Sequence, residues 1–505
     1  METLKVAIRG WEEVIASPRF GRLTNEQQVA ILAEASARFH DRYQYLKDPA
    51  DLTRALSGLR TVISLLPTDH QRLPGYLSNL ATTLVTAFQG TNKVSHLNES
   101  IERYHQAIAI GEQQACEPVV VINKTNLAKT LILRYLISGS LKDLEESIAL
   151  CWEGLARLPL DAHHFRLIAS HNLATALYAR YERLNGLEDL EESIKLWQEC
   201  IDSPHTNDFL RALSRGNLAT GLSSFAFRTY HLPTLDRAIE EISKAIDDML
   251  PTSIELPDLV CKLGNFLNNK YVFTREIRYL DEAIKYAREA VRLSSTGQAF
   301  SIYNALGNLC DGLLMKSYRT GELGDLDEAR VTTQRAIQTC GAYPSAKSKL
   351  QYILSRLMMV RYRATGDLSD IDLAITFARE GAESLDHTYK LLGLSLTAAL
   401  YGLRYLKTES EEDLKWALIY YYESLKSLNN MFCLSNTSYQ LAQQRKEYEV
   451  CEMALAMYLN ALAVWPEQAP FFSRESFTLV EGLKSRVFTH LLRRSKTLLH
   501  KCSYG

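Results

Sequence analysis

Apolar side chains along this chain come in paired runs, each at the spacing of one helix face. In the clearest stretch Ile168, Leu173, Leu177 and Tyr181 form one run, and Leu190, Ile194, Trp197 and Ile201 form the next. Residues three and four apart share a face of an α-helix, so each run predicts a helix of about four or five turns. Gly186 interrupts between them, as suits a helix C-terminus. Pro204 ends the second run, because proline cannot continue the backbone ladder. Asp189 and Glu192 read as an acidic capping box, with Asp189 as N-cap and Glu192 at N3. The stretch is one helical hairpin.

The hairpin recurs. A leucine, once isoleucine, is followed three residues later by alanine or serine at nine places: Leu52, Leu97, Leu144, Leu190, Leu235, Leu280, Leu326, Ile371 and Leu414. Successive copies lie 45, 47, 46, 45, 45, 46, 45 and 43 residues apart. A fixed period of this size marks a solenoid of stacked supersecondary units. Ten residues after the leucine the side chain is small in eight copies, from Ala107 to Ser424, with Val62 the exception. Two small residues seven apart lie on one helix face and let a neighbouring helix approach closely. Eight or nine residues before each leucine stands an aromatic: Tyr43, Phe88, Tyr135, Tyr181, Phe227, Tyr271, Tyr318, Tyr362 or Tyr405. Each is placed at the end of the first helix to fill the remaining volume.

Composition fits this picture and removes several function classes. With 46% apolar residues and only 13 prolines, an ordered helical chain is expected. A net charge of −2 gives no overall case for nucleic-acid or membrane binding. Nine scattered cysteines without a CxxC pair suit reduced thiols. The N-terminus lacks the apolar core of a signal peptide, and the longest uncharged apolar stretch, 391–403, is too short to span a membrane. A cytoplasmic location is expected, with the nucleus also open.

The second-helix series Ser193, Trp197, Cys200 and Ala238, Ile242, Ala245 resembles the tetratricopeptide (TPR) pattern. So does the first-helix series Asn172-Leu173-Ala174 with Leu177. The triplet returns at Asn79, Asn126 and Asn217, and drifts to Asn265-Phe266-Leu267 and Asn308-Leu309-Cys310. The period exceeds the usual TPR length of about 34 because both helices are longer. This longer unit, with linkers such as 319–329 and 363–375, is similar to the fungal aromatic di-alanine and TPR-containing proteins, many of which end in a caspase-like CHAT domain. The segment Phe477 to Arg486, followed by 487–492, resembles the helix that joins repeats to CHAT domain there. A CHAT protease would need a His and a Cys in a further α/β domain, and this chain reaches only Gly505. A standalone scaffold and a shortened TPR–CHAT protein both remain open.

The expectation is an all-α, TPR-like superhelical solenoid of long, about 45-residue helix-pair repeats. Residues 1–24 are assigned to an N-terminal capping helix, 25–430 to nine repeats, 431–474 to degenerate hairpins and 475–505 to a basic capping or junction helix. That last region runs from Gly482 to Lys501 with six Lys and Arg and no acidic residue, and suits contact with an acidic partner. No nucleotide loop, HExxH or GxSxG pattern occurs, so no catalytic residue, cofactor or metal is assigned. Adjacent His163 and His164 lack further ligands at metal spacing. Cys151 and Cys200 stand at packing positions, and the acidic residues opening the second helices complement the helix dipole.

The function expected is a non-catalytic protein-interaction scaffold, or the sensor or regulatory region of a CHAT-type protease. The alternative is a TPR arm of a nucleotide-dependent signalling regulator whose catalytic domains lie outside this chain. In TPR proteins the first helices line a concave groove. Carried onto this chain, the groove positions are the residue before each Asn and those three and six after it. They give a peptide-binding set of Lys129, His171, Thr175, Tyr178, Thr220, Asn268 and Tyr271. The lining is polar with scattered aromatics and lacks a cationic clamp for carboxylates. A protein or peptide ligand is expected there.

Overall fold

The computed structural model describes residues 10–432, apart from single turn positions and the segments 295–298, 340–343 and 384–386. The hairpins expected over 431–474 lie, but for their first two residues, outside the described residues. The basic helix expected over 475–505 lies wholly outside them.

Within that range the chain is helical, and no strand occurs among the described residues. After residues 10–16, which are helical, and a 3-10 turn at Phe20–Arg22, eighteen α-helices follow as nine pairs. The pairs are α1 and α2 (Asn25–Leu46, Pro49–Leu65), α3 and α4 (Leu73–Thr91, Val94–Gln113), and α5 and α6 (Glu117–Ser138, Leu141–Arg157). Next come α7 and α8 (His163–Leu184, Leu187–Asp202), α9 and α10 (Asp208–Thr229, Leu232–Asp248), and α11 and α12 (Leu256–Thr274, Ile277–Ser294). The last are α13 and α14 (Ala299–Thr320, Gly324–Thr339), α15 and α16 (Pro344–Thr365, Leu368–Ala382), and α17 and α18 (His387–Thr408, Glu411–Phe432). By contacts the chain forms two compact units. The first comprises Met1–Arg180, Glu188–Arg275 and Lys285–Ala305, the second Tyr181–Leu187, Glu276–Ile284 and Leu306–Gly505.

The repeated leucine and its small partner are buried in every pair, from Leu52 and Ala55 to Leu414 and Ala417. So is the small position seven residues on, where Ala107, Cys200, Ala245, Ala290 and Ala336 have no accessible surface. Two buried serines in this seam bond the facing helix. Ser100 Oγ donates to the Ala81 carbonyl at 2.8 Å and Ser147 Oγ to that of Ala128 at 2.9 Å. Their hydroxyls therefore escape the penalty of an unpaired buried polar group.

The aromatic column does not behave uniformly. Tyr43, Phe88 and Tyr271 are buried, Tyr135 and Tyr181 are half-buried, and Phe227 is 45% exposed. Phe227 stands eight rather than nine residues before its leucine, which rotates it by about 100° on the helix. Ala226 takes the buried place, and Phe227 turns outward against Phe273. Its expected role as filler is thus corrected by a one-residue register shift.

The turn between first and second helix is set by the residue five before the leucine. It is left-handed at Gly139, Gly321 and Gly366, and also at Tyr230, Arg275 and Glu409. Tyr230, Arg275 and Glu409 accept a conformation that favours glycine. Each is held by its N–H, which closes the helix end onto a carbonyl four residues back, as Arg275 N does on Tyr271 O at 2.7 Å.

The acid before the leucine has a different role from the one expected. Asp189 lies inside the first turn of α8 and does not cap it. Both its oxygens accept from Arg180, nine residues earlier, at 2.7 Å. The same clasp joins Arg42 to Asp51, Arg134 to Asp143 and Arg404 to Asp413, and Arg361 meets Asp370 through a single contact of 3.4 Å. The cation also faces the acid that follows the preceding repeat's leucine. Lys270 meets Asp236 at 2.7 Å, Lys316 meets Asp281 at 3.1 Å, and Arg404 pairs with Asp372. One basic position therefore ties first helix to second helix and repeat to repeat. Bidentate guanidinium–carboxylate geometry fixes orientation as well as charge.

Candidate interaction surface

In the first unit the first helices of neighbouring repeats lie side by side, and polar side chains fix their register. Asn172 Nδ2 donates to the Thr125 carbonyl at 3.3 Å, Tyr178 and Ser224 share a hydroxyl bond of 2.8 Å, and Asn269 Nδ2 donates to Ser223 Oγ at 3.3 Å. The face left to solvent is narrower than expected and turned by one residue. The positions before each Asn are buried: Thr125, His171, Gly216 and Gly264. Three of the four positions six after it are buried too, namely Ile132, Ser223 and Tyr271.

Of the seven residues assigned to the groove, Lys129 is exposed, and Thr175, Thr220 and Tyr178 are half-buried. Thr175 and Thr220 hydroxyls donate back to the carbonyls of His171 and Gly216. Tyr178 also packs against Trp197. His171, Asn268 and Tyr271 are buried, so their expected position on the open face is corrected. The cause is helical phase: the expected positions, one before and three and six after each Asn, centre on a face about 100° from it, against the neighbouring helix. The Asn column reaches solvent at some of its positions, although Asn172 is buried. Asn79 and Asn265 are exposed and Asn126 is half-buried, and none of the three side-chain amides has a hydrogen-bond partner among the described residues. Asn172 is spent on the neighbouring backbone, and Asn217 faces His171 and Lys262.

His171 sits beneath this face. Its Nδ1 lies 2.9 Å from Ser214 Oγ, and its Nε2 is 3.5 Å from Asn217 Nδ2. Burial drives its pKa down to about 4, helped by the positive charges of Lys129 and Lys262. The unfolded chain takes up this proton below about pH 6.5, while the folded chain stays neutral until about pH 4. Stability therefore falls as pH drops through that window, by roughly 3 kcal/mol for this one group. His171→Gln should lose less stability than wild type between pH 7 and pH 4.5, read by urea unfolding. Equal losses would remove His171 as the cause.

The remaining candidates for chemistry resolve as packing. Burial pushes the thiols of Cys151, Cys200 and Cys310 up to about 12, which keeps them protonated and inert. The His163 ring stacks on His205 with centroids 3.9 Å apart and planes parallel. Imidazole lone pairs lie in the ring plane, so those of two parallel stacked rings lie in separate parallel planes and do not meet at one ion. No group of three His, Cys, Asp or Glu placed to hold a metal occurs among the described residues. Among them no helix is long and apolar enough to cross a membrane.

No model of a known protein family matches the chain, and no curated protein matches it. Several solved helical-repeat structures resemble it. A protein from Podosopora anserina with nearly identical TPR-like repeats, of kinesin light chain type, is 18% identical over 42% of this chain and 95% of that one, with TM-score 0.31. A signal transduction ATPase with a tetratricopeptide repeat sensor from Pyrococcus horikoshii is 13% identical over 90% of this chain and 66% of that one, with TM-score 0.43. Human IFIT1, in a dimer with PPP-AAAA, is 15% identical over 90% of this chain and 96% of that one, with TM-score 0.40. The assignment to TPR-like helical repeats rests on this chain's own period and buried seam.

Proposed function

We propose that this chain is a non-catalytic interaction scaffold that holds an extended polypeptide on the Asn column of its first helices. The observation that carries the reading is the set of solvent-facing amides at Asn79, Asn126 and Asn265, set at one register and without partners among the described residues. A primary amide offers one acceptor and two donors, which match the C=O and N–H of a peptide group. Neighbouring helix axes lie about 8–10 Å apart, close to three residues of extended chain at about 3.3 Å each. Asn79 and Asn126, on neighbouring first helices, can therefore meet peptide units three apart on one strand, and Asn265 would meet the same strand three repeats further on. Lys129, Thr175, Tyr178 and Thr220 flank the column and would read its side chains.

The finer reading is the sensor or regulatory region of a CHAT-type protease. It is supported by the long repeat unit, its linkers and the junction-like sequence from Phe477 to Arg486. Genomic sequence downstream of codon 505 tests it, and an α/β domain with a His and a Cys in the same frame is the expected finding. For the binding face, peptides selected from a random displayed library should bind wild type. The triple variant Asn79→Ala, Asn126→Ala, Asn265→Ala should bind them at least tenfold more weakly, with unchanged helix content. Undiminished binding by the triple variant would sink the Asn-column reading.

A further inference from the structure

Between successive second helices lies a gap, floored by the first helix between them at the residue twenty before the repeated leucine. The chain closes this gap in two ways. In α3 that residue is Leu77, packed with Ile63 of α2 and with Ala107 and Ile110 of α4. In α5 it is Lys124, 5% exposed, whose Nζ meets Glu112 of α4 at 3.0 Å and Glu153 of α6 at 2.6 Å. Glu153 also accepts from Arg157 of its own helix at 3.1 Å. In α11 the residue is Val260, which brings neither the length of leucine nor a charge. There a hollow of about 550 Å³ stays open, walled by Ile246, Leu256, Val260, Leu263, Tyr286 and Leu293. Its mouth is open because Ser243 turns its hydroxyl back to the Ile239 carbonyl at 2.8 Å. At the same register in α8, Gln198 spans the gap to accept from Arg237 at 2.8 Å. The rim repeats the carboxylates around Lys124. Glu289 stands nine residues after its leucine, as Glu153 does, and is likewise held by an arginine of its own helix, Arg292, at 2.5 and 2.7 Å. Asp247 lines the hollow from α10 and has no ion pair or hydrogen bond among the described residues. All the residues of the hollow belong to the first compact unit.

We propose that this hollow binds a small-molecule primary alkylammonium, its charged end at Asp247 and Glu289 and its apolar body on Leu256, Val260 and Leu263. The chain supplies the precedent. The Lys124 side chain is itself an alkylammonium, seated between carboxylates of neighbouring second helices. The pairing of Glu289 with Arg292 does not bar this, since Glu153 receives Lys124 and Arg157 together. Asp247, Glu289 and Arg292 leave one negative charge, which one ammonium neutralises. An ammonium only donates hydrogen bonds, so carboxylates suit its end, whereas an alcohol or a carboxylic acid would leave Asp247 without a counter-charge. The volume falls in the range of small-ligand sites, roughly 300–1,000 Å³. No residue of the Asn column lines the hollow, so a ligand here is separate from the proposed binding face.

The test is isothermal titration calorimetry of the full chain with n-octylamine at neutral pH, where the amine is protonated. Binding at one site is expected, and octanoate should bind at least about tenfold more weakly. Asp247→Asn should weaken octylamine by about tenfold. Val260→Lys puts the chain's own ammonium into the hollow, as Lys124 does in its gap, and should abolish binding. Circular dichroism reports whether each variant keeps its helix content, and the surface change Asp247→Asn decides alone if Val260→Lys does not fold. No binding of octylamine, equal binding of octanoate, or binding that survives Asp247→Asn would overturn the proposal. Nα-acetyl-lysine amide bound as tightly as octylamine would make a partner's lysine the occupant, and would overturn the small-molecule assignment.

Discussion

Asp143→Ala is expected to destabilise the α5–α6 hairpin by about 3 kcal/mol. The Asp143 carboxylate is 6% exposed and accepts from Arg134 Nε and Nη2, both at 2.7 Å. Removing one member of a buried ion pair costs about 3–5 kcal/mol, because the other charge stays desolvated without its partner. The low end applies here, since Arg134 is 28% exposed and keeps a contact to Asn98. Replacing both, as Arg134→Leu/Asp143→Leu, should recover most of the loss, because no charge is then left buried alone. Solenoids unfold repeat by repeat, so the measurement is hydrogen exchange of α5 and α6 amides beside urea unfolding. A control lies at Lys195 and Glu192, an exposed pair on α8. Its removal should leave the urea midpoint unchanged. If Asp143→Ala behaved like that control, or the double variant fared worse than the single, the clasp would not hold the hairpin.

This clasp shows where the sequence was legible and where it was not. The period, the leucine and the small seam could be read because burial is periodic and tolerates few side chains. Ala238, Ala245 and Ile242, chosen from spacing alone, have no accessible surface. The Arg–Asp pairing left a trace, an Arg ten before and an Asp one before the leucine at Leu52, Leu144, Leu190, Ile371 and Leu414. An acid in a first turn is equally explained by the helix dipole. Only the folded turn brings residues nine apart into contact, and that decides between the two. The interaction face failed in a similar way. The expected positions lie on the first helices, but helical phase is fine-grained, and a phase error of about one residue put the buried His171 and Tyr271 in a groove. The same sensitivity explains Phe227, where a single position exchanged a buried aromatic for Ala226.

Trp197 and Gly221 should show that the seam matches large side chains to small ones across repeats. Trp197 on α8 is 1% exposed, and a Cβ placed on Gly221 of α9 would lie 3.3 Å from its ring and 2.9 Å from Ile194 Cγ1. Trp197→Ala should cost about 3–5 kcal/mol through lost apolar burial and the cavity left behind. Gly221→Ala alone should cost less, about 1–3 kcal/mol, because Ile194 and the indole must shift to admit a methyl group. In the double variant the methyl enters space the indole has left, so the cost should fall below the sum of the singles by at least about 1 kcal/mol. Trp197→Phe adds a separate reading. The indole Nε1 is buried without a hydrogen-bond partner among the described residues, so part of the volume lost with Phe is offset by removing an unsatisfied donor. Trp197→Phe should therefore cost less than half of Trp197→Ala. Additive energies in the Trp197→Ala/Gly221→Ala cycle would mean that the two positions do not share one space. The packing account of why glycine stands at 221 would then fail, even with the fold intact.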